Sequence, residues 1–521
     1  VPREDIVVGL DIGTTKVCTV VGHGDPRGKI NIAGVGIVPS RGIKKGVVID
    51  VEDTVTAIRE SVDRARHMAG IEIEHAVAGI TGDHIQSSNR RGTVTVSGSP
   101  NAANEAVITA EDVSRVLQAA AMDVPAEREI IHSLPRFFGV DGHRGVRRPI
   151  GMCGQRLEVE THVVTGTASF LQNVVQCVER AGLSVEALVL EPIATSEAVA
   201  TPDERELGVA LIDIGGGTSD IAVFMDGSII HSAVLPVGGN HVTRDISIGL
   251  RTPFELAERL KIESGVASPS LIPHGEALEV MTAGSGERLR LPRAILGEII
   301  EARMSELLEM AKAAINEAGV QRIPAGVILT GGGAMLPGAI ELAQEVFELP
   351  VRLGKPIEMQ GWGEQVETPQ YSTAVGLLRF ALRQREAVGN PSVGSQVTYV
   401  PLESQRRIWS VPAPGSFPAP SQNHYESNGT APHDATTQDA PVVVTANAEE
   451  AANQSWINGE TPTANNLKIE PEPVERSTPF DRLRAARSEA KANKPNDDDG
   501  NLSPWQKFFL KLRQLIGFEP S

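Results

Sequence analysis

The sequence predicts an α/β protein with two related domains facing each other across a cleft, then a long disordered tether and a short amphipathic helix. Three observations predict it. From about 5 to 387, apolar strand-like runs alternate with helix-like periodicity, which implies an α/β class. Two similar glycine turns recur with their Asp-Ile-Gly triplets 202 residues apart, which suggests a duplicated unit. Beyond 387 the composition changes abruptly.

The elements follow in chain order. IVVGLDIG and KVCTVVG read as apolar strands around a short Gly/Thr turn. DVEDTVTAIRESVDRARHMAG (50–70) reads as a helix with Val55, Ile58, Val62 and Ala65 on one face and Asp53 as N-cap. LIDIGGGTSDIAVFMDG (211–227) repeats the first design: apolar residues, Asp-Ile-Gly, a small-residue turn, another apolar strand. LGEIIEARMSELLEMAKAAINEAG (296–319) is a second long helix, with Gly319 in the C′ position. VILTGGGAMLPG (327–338) is a strand running into a triple-glycine loop, with the helix IELAQEVF behind it.

These residue types suit a phosphate-bearing ligand. Glycine lets the backbone adopt positive φ and approach a ligand closely. Successive backbone N–H groups in such turns converge on an anion. Gly13, Gly215, Gly216 and Gly217 provide that backbone in the two turns, and Gly331, Gly332 and Gly333 in the third loop. Thr14, Thr15, Thr218 and Ser219 add hydroxyls, and Lys16 adds positive charge. Asp11 and Asp213 end their strands, where they are placed to hold Mg²⁺ through water, since this ion keeps most of its hydration. One Gly-Thr turn alone is a common hairpin. Two matched turns, each preceded by Asp, with a glycine loop opening a helix, point to a nucleotide. No P-loop or Rossmann fingerprint is present.

DIGTTK, DIGGGTSD and LTGGGAMLPG are similar to the first phosphate, second phosphate and adenosine motifs of the actin and DnaK-type ATPase superfamily. LVLEPIATSEAV (188–199) and STAVGLLRFAL (372–382) resemble its two connecting segments. AERLK (257–261) resembles its E-x-x-K helix, which implies Glu258 near the ribose and Lys261 beside the adenine. Within that superfamily, GIKKGVVIDVEDTVTAI (42–58), AVAGITGDHIQSSNRRG (76–92), HSLPRFFGVDG (132–142) and GMCGQRLEVETHVVTG (151–166) resemble the FtsA family of bacterial cell-division proteins. The resemblance covers about 5 to 385 and resumes over the last twenty residues.

It implies duplicated actin-like, ribonuclease H-like domains around ATP and Mg²⁺. The expected division is 5–82 for the first part of domain 1, 83–165 for an inserted FtsA-type subdomain, 166–205 for the remainder of domain 1 and 206–387 for domain 2. A linker (388–502) and a membrane-targeting helix (503–518) follow. The resemblance further implies filaments of the protein with itself, binding to FtsZ and other divisome proteins, and a peripheral position on the cytoplasmic face of the inner membrane at the division site. Hydrolysis of ATP is at most weak or regulatory. By resemblance Glu191 orients the attacking water, with Asp213 and Asp220 as alternatives; a purely structural role for Glu191 is equally open.

Rival readings make their own demands. A pilus- or secretion-type assembly protein related to PilM does not need a basic, aromatic tail. A DnaK-type chaperone needs a folded peptide-binding domain after about 385. A sugar kinase needs a sugar pocket and a catalytic base, and neither is evident.

Charge and proline divide the chain. The whole carries 48 basic and 66 acidic side chains, a net of −18, which argues against general nucleic-acid binding. Residues 1–387 carry −14, 388–502 carry −6, and 503–521 carry +2. Thirteen of the 34 prolines fall in 388–502, which has few apolar runs and cannot offset the entropy of ordering. As a flexible chain it spans roughly 55–65 Å r.m.s..

The tail SPWQKFFLKLRQLIGFEPS opens with Ser503 as N-cap and Pro504 at the first helical position. Trp505, Phe508, Phe509, Leu512 and Ile516 share one helical face, and Lys507, Lys511 and Arg513 lie nearer the polar side. A helix of this length is ~21 Å long against a hydrocarbon core of ~30 Å, so it would lie on an anionic membrane surface rather than span it. Docking on the core or a partner is the alternative.

Other features are plain. Three cysteines without a C-x-x-C exclude a disulfide scaffold and a cysteine-rich zinc site, and fit a reducing compartment. No apolar run reaches spanning length and the start lacks a signal-peptide pattern, so a cytoplasmic location is expected. Arg144, Arg147 and Arg148 form a small basic group, read as a solvated loop or a filament or partner contact.

Overall fold

A computed structural model of the chain describes residues 6–389, apart from 26–28, 98–105, 123, 284–287 and 321. Strand β1 (Val7–Ile12) is buried throughout and pairs antiparallel with β2 (Lys16–Gly24) around the first glycine turn. β3 (Ile30–Pro39) extends the sheet antiparallel to β2. A small hairpin, β4 (Ile43–Lys44) with β5 (Val47–Val48), leads into α1 (Val51–Ala69). Val55, Ile58, Val62 and Ala65 are buried on α1 as the periodicity predicts. The cap differs from the expectation. Asp50 accepts from the Asp53 backbone N–H at 3.0 Å, so Asp50 is the N-cap and Asp53 supplies one of the donors it satisfies.

β6 (His75–Ile80) runs parallel to β1. The chain then leaves the sheet. β7 (Gln86–Thr95), α2 (Ala110–Ala120), β8 (Arg128–Val140), β9 (His143–Val146) and β10 (Arg156–Thr167) build a separate antiparallel sheet in the order β7-β10-β8-β9. It has its own small core around Ile108, Val116, Phe138, Leu157 and Val159. α3 (Ala168–Arg180) and β11 (Ser184–Leu190) return to the first sheet, β11 lying parallel to β6. α4 (Glu191–Val199) is almost wholly buried, and α5 (Pro202–Leu207) leads out of it.

The second domain repeats the first. β12 (Val209–Ile214), β13 (Ser219–Met225) and β14 (Ser228–Leu235) form an antiparallel meander around the second glycine turn. α6 (Gly239–Gly249), α7 (Phe254–Ser264), the hairpin β15 (Ala277–Met281) and β16 (Arg288–Pro292), and α8 (Arg293–Asn316) follow. β17 (Val327–Thr330) lies parallel to β12, as β6 does to β1. α9 (Ala339–Phe347) and β18 (Val351–Leu353), parallel to β17, complete the repeat. α8 begins three residues before the expected start. Gly319, at φ +69°, lies two residues beyond the cap Glu317 rather than at C′.

The end of the described chain corrects the expected domain boundary. β19 (Met359–Gly361) pairs with β3, and α10 (Ser372–Gly389) packs on β1 and α4. Residues assigned to domain 2 up to 387 therefore return to the first domain. The reason is close packing: Ala374, Val375, Leu377 and Leu378 enter the first core. A Cβ on Gly9 would lie 2.7 Å from the Ala374 carbonyl oxygen, and one on Gly376 would lie 1.9 Å from that of Ala194. α10 also runs to Gly389, two residues into the stretch assigned to the linker. The rest of that linker and the 503–518 helix lie outside the described residues.

The inserted sheet is fastened to the second domain. Ser87 Oγ donates to the Ser232 carbonyl at 2.7 Å, and Asn89 Nδ2 to the Ile230 carbonyl at 2.9 Å. His162, between Asn89 and the Ser232 hydroxyl, is pushed down to about 3 by burial, with His231 adding to the effect. Arg147 pairs with Glu206 at 2.6 Å, so this member of the basic group spans from the insert to α5. Among the described residues no helix is long and apolar enough to cross a membrane.

The Gly376–Ala194 contact gives a direct test. Gly376→Ala should cost about 1–3 kcal/mol in denaturant unfolding, because the new methyl has to separate α10 from α4. A change within measurement error contradicts this packing.

Candidate functional site

The two glycine turns meet. Each closes on itself in the same way: Gly13 N–H donates to the Lys16 carbonyl and Gly215 N–H to the Thr218 carbonyl, both at 3.0 Å. A Cβ on Gly216 would lie 1.9 Å from Thr15 Oγ1, and one on Gly217 would lie 2.5 Å from Thr14 Oγ1. Glycine at these positions leaves room for the threonine side chains of the opposing turn. The third loop closes over the end of β12. Gly331 has φ +86°, and a Cβ there would lie 2.3 Å from Asp213 Oδ1.

Except for Ser219, whose hydroxyl donates to the Val237 carbonyl at 2.8 Å, the residues assigned to the nucleotide from sequence line one cavity of about 370 Å³. Asp11, Gly13, Thr14, Thr15 and Lys16 come from the first domain. Asp213, Gly215, Gly216, Gly217, Thr218, Glu258, Lys261, Gly331, Gly332 and Gly333 come from the second. Glu191 lines it too. α6 starts against the second turn, with Gly239 N–H on the Gly215 carbonyl at 2.9 Å and Asn240 N–H on the Gly216 carbonyl at 2.8 Å.

The floor is a cluster of buried carboxylates: Asp11, Glu191, Asp213 and Asp220. Lys16 Nζ bonds Asp11 at 3.2 Å and sits 5.5 Å from the centre of the Tyr371 ring. Burial alone would lower the Lys16 ammonium, but the Asp11 carboxylate overrides it and holds the group well above its ordinary range. Burial pushes Glu191 well up, and the neighbouring Asp220, Asp11 and Asp213 add to this. Asp213 and Asp220 are also raised, first by burial. Threonine hydroxyls oppose both shifts: Thr373 and Thr195 donate to Asp213, and Thr81 and Thr218 to Asp220. Both Asp220 oxygens are thereby occupied.

At the other end Lys261 Nζ bonds Glu258 at 2.7 Å, Thr243 Oγ1 at 2.9 Å and the Gly239 carbonyl at 3.2 Å. Ile262, Met335, Leu336 and Pro337 add apolar wall. The sequence reading missed Thr81, Thr373, Asn240 and Gln370, which also line the cavity, and Thr195, buried behind Asp213. Thr195 and Thr373 lay inside segments read as connectors. Nothing in their spacing tells which hydroxyl turns toward Asp213.

Comparison with known proteins identifies the family. A family model described as cell division protein FtsA matches residues 210–376, and one for the SHS2 domain inserted in FtsA matches 82–165. Over 411 residues the chain is 42% identical to the cell division protein FtsA of Pseudomonas aeruginosa, covering 78% of this chain and 97% of that relative. The chain belongs to the FtsA family. The FtsA of Bacillus subtilis is 40% identical over 388 residues, covering 74% of this chain and 86% of that one. The FtsA of Escherichia coli K12 is 38% identical over 402 residues, covering 75% and 94%. Among solved structures, a chain of the PilM–PilN type IV pilus biogenesis complex aligns with a TM-score of 0.53 at 18% identity, covering 73% of this chain and 99% of that chain. That likeness shows the fold, while the sequence relatives show the family. The architecture is the actin-like one: duplicated α/β domains with an FtsA-type inserted subdomain.

The carboxylate cluster predicts an unusual pH response. An acid whose folded pKa is raised binds more protons in the folded state, so it lowers stability as pH rises from its unfolded value through its folded one. Glu191→Gln should therefore raise the melting temperature of the nucleotide-free protein in EDTA more at about pH 7.5 than at about pH 5. An equal shift at both pH values contradicts an electrostatic origin.

Proposed function

We propose that this FtsA-family protein binds Mg²⁺·ATP in the cleft, polymerises, and tethers FtsZ to the cytoplasmic face of the inner membrane through residues 503–518. The observation that supports it most is convergence. Three glycine loops and two strand-end aspartates, scattered over more than 300 residues, line one cavity in a chain 42% identical to a cell-division FtsA.

The donor set fits the nucleotide and its metal. Backbone N–H groups and hydroxyls of the two turns, with Lys16, would hold phosphate oxygens. Asp11 and Asp213 would hold Mg²⁺ through its waters. When bound, the ion would supply positive charge to the phosphates and to the carboxylate floor. Glu258 and Lys261 would lie toward the ribose and adenine. Glu191, relieved of repulsion by a nearby cation, would be free to orient a water at the terminal phosphate. Burial among acids otherwise favours its neutral form. Turnover on these terms is slow and serves to set a polymer-competent conformation.

Attachment rests on the sequence of the last nineteen residues. Each helix holds the surface reversibly, and a filament makes many weak anchors act together. Removing 503–521 should leave ATP binding intact, abolish sedimentation with anionic liposomes, and stop FtsZ from sedimenting with them. Trp505→Glu or Phe509→Glu should weaken liposome binding more than Gln514→Glu. Full retention after truncation contradicts the anchor, and equal losses from all three substitutions contradict an apolar binding face.

A further inference from the structure

We infer that Thr195 and Thr373 act as a hydroxyl clamp that positions the Asp213 carboxylate for the metal-bound form of the nucleotide. The inference rests on the Mg²⁺·ATP reading above. Both hydroxyls reach the same atom: Thr195 Oγ1 lies 3.0 Å from Asp213 Oδ2, and Thr373 Oγ1 lies 2.9 Å from it. The two hydroxyl oxygens are 2.9 Å apart. All three residues are buried.

Each hydroxyl has one proton. Two protons serve three contacts, and a buried carboxylate oxygen is the stronger acceptor, so both protons are drawn to Oδ2. That fixes the rotation of the carboxylate. Oδ1 is left turned toward Gly331, where the absence of a side chain keeps it open, since a Cβ would sit 2.3 Å away. Two donors on one oxygen and a glycine beside the other present a single carboxylate oxygen to the cavity.

The clamp also crosses between domains. Asp213 ends β12 in the second domain, whereas Thr195 lies in α4 and Thr373 near the start of α10. Both helices pack in the first core, and the absence of a side chain at Gly376 lets them touch backbone to backbone. A carboxylate held only by its own strand could swing with any change in the cleft. This one is tied to the opposite domain by two short side chains. Ser372 is the natural comparison. It too carries a buried hydroxyl, but it bonds Thr330 at 2.9 Å instead of Asp213.

Calorimetric titration of the full chain with ATP, once in Mg²⁺ and once in EDTA, tests this. Thr195→Val and Thr373→Val should lose about tenfold or more in affinity with Mg²⁺ and stay within about twofold of wild type in EDTA. Thr373→Ser should restore the Mg²⁺-dependent affinity, and Ser372→Ala should leave it unchanged. Thr195→Ala or Thr373→Ala replaces any valine variant that fails to fold. Equal losses in both conditions, no loss, or failure of serine to restore binding overturns the clamp. A wild-type chain whose ATP affinity ignores Mg²⁺ overturns both the metal reading and the clamp. A Mg²⁺-dependent wild type with unshifted variants overturns the clamp alone.

Discussion

Asp11, Glu191, Asp213 and Asp220 are buried together at the floor of the cleft, with Lys16 bonded to the first of them. Burying like charges is costly, and each acid responds by favouring its neutral form or by finding donors. Much of the surrounding structure follows from this. Three threonines of the first domain, Thr81, Thr195 and Thr373, give their hydroxyls to carboxylates of the second. The cluster thus joins the two halves even as its charges repel. On the function proposed above, a divalent cation with bound phosphates would offset this charge.

Close backbone approach is the second constraint. The turns at 13–15 and 215–217 come from different domains and leave no room for side chains at Gly216 and Gly217. Gly9 and Gly376 do the same for α10, which bridges back onto the first sheet. Glycine therefore acts in both places by leaving out a side chain, which makes room for threonine side chains at the site and for neighbouring backbone at α10. The inserted sheet is tied into this assembly by Ser87, Asn89 and His162 against β14, so it is attached to the second domain as well as to the strands from which it emerges.

The duplicated turns were legible in the sequence because each is local: apolar strand, Asp-Ile-Gly, small residues, apolar strand. Lys16, Glu258 and Lys261 were legible from motifs for the same reason. What the sequence hid was long-range. Thr373 meets Asp213 across 160 residues, and Thr81 meets Asp220 across 139. A threonine in an apolar segment looks the same whether it faces a carboxylate or a helix carbonyl. The return of β19 and α10 to the first domain was hidden likewise, because an apolar helix does not name the sheet that it covers. Asp50 and Asp53 both suit a cap, and only the course of the backbone selects between them.

On the proposed function, the carboxylate floor holds a cation together with a nucleotide. Anomalous diffraction from crystals grown with Mn²⁺ in place of Mg²⁺, with and without a non-hydrolysable ATP analogue, tests it most directly. With the analogue, one metal peak should lie between Asp11 and Asp213 beside the phosphates, separated from both carboxylates by water. A metal bound away from this floor, or phosphates lodged away from the two glycine turns, would contradict it.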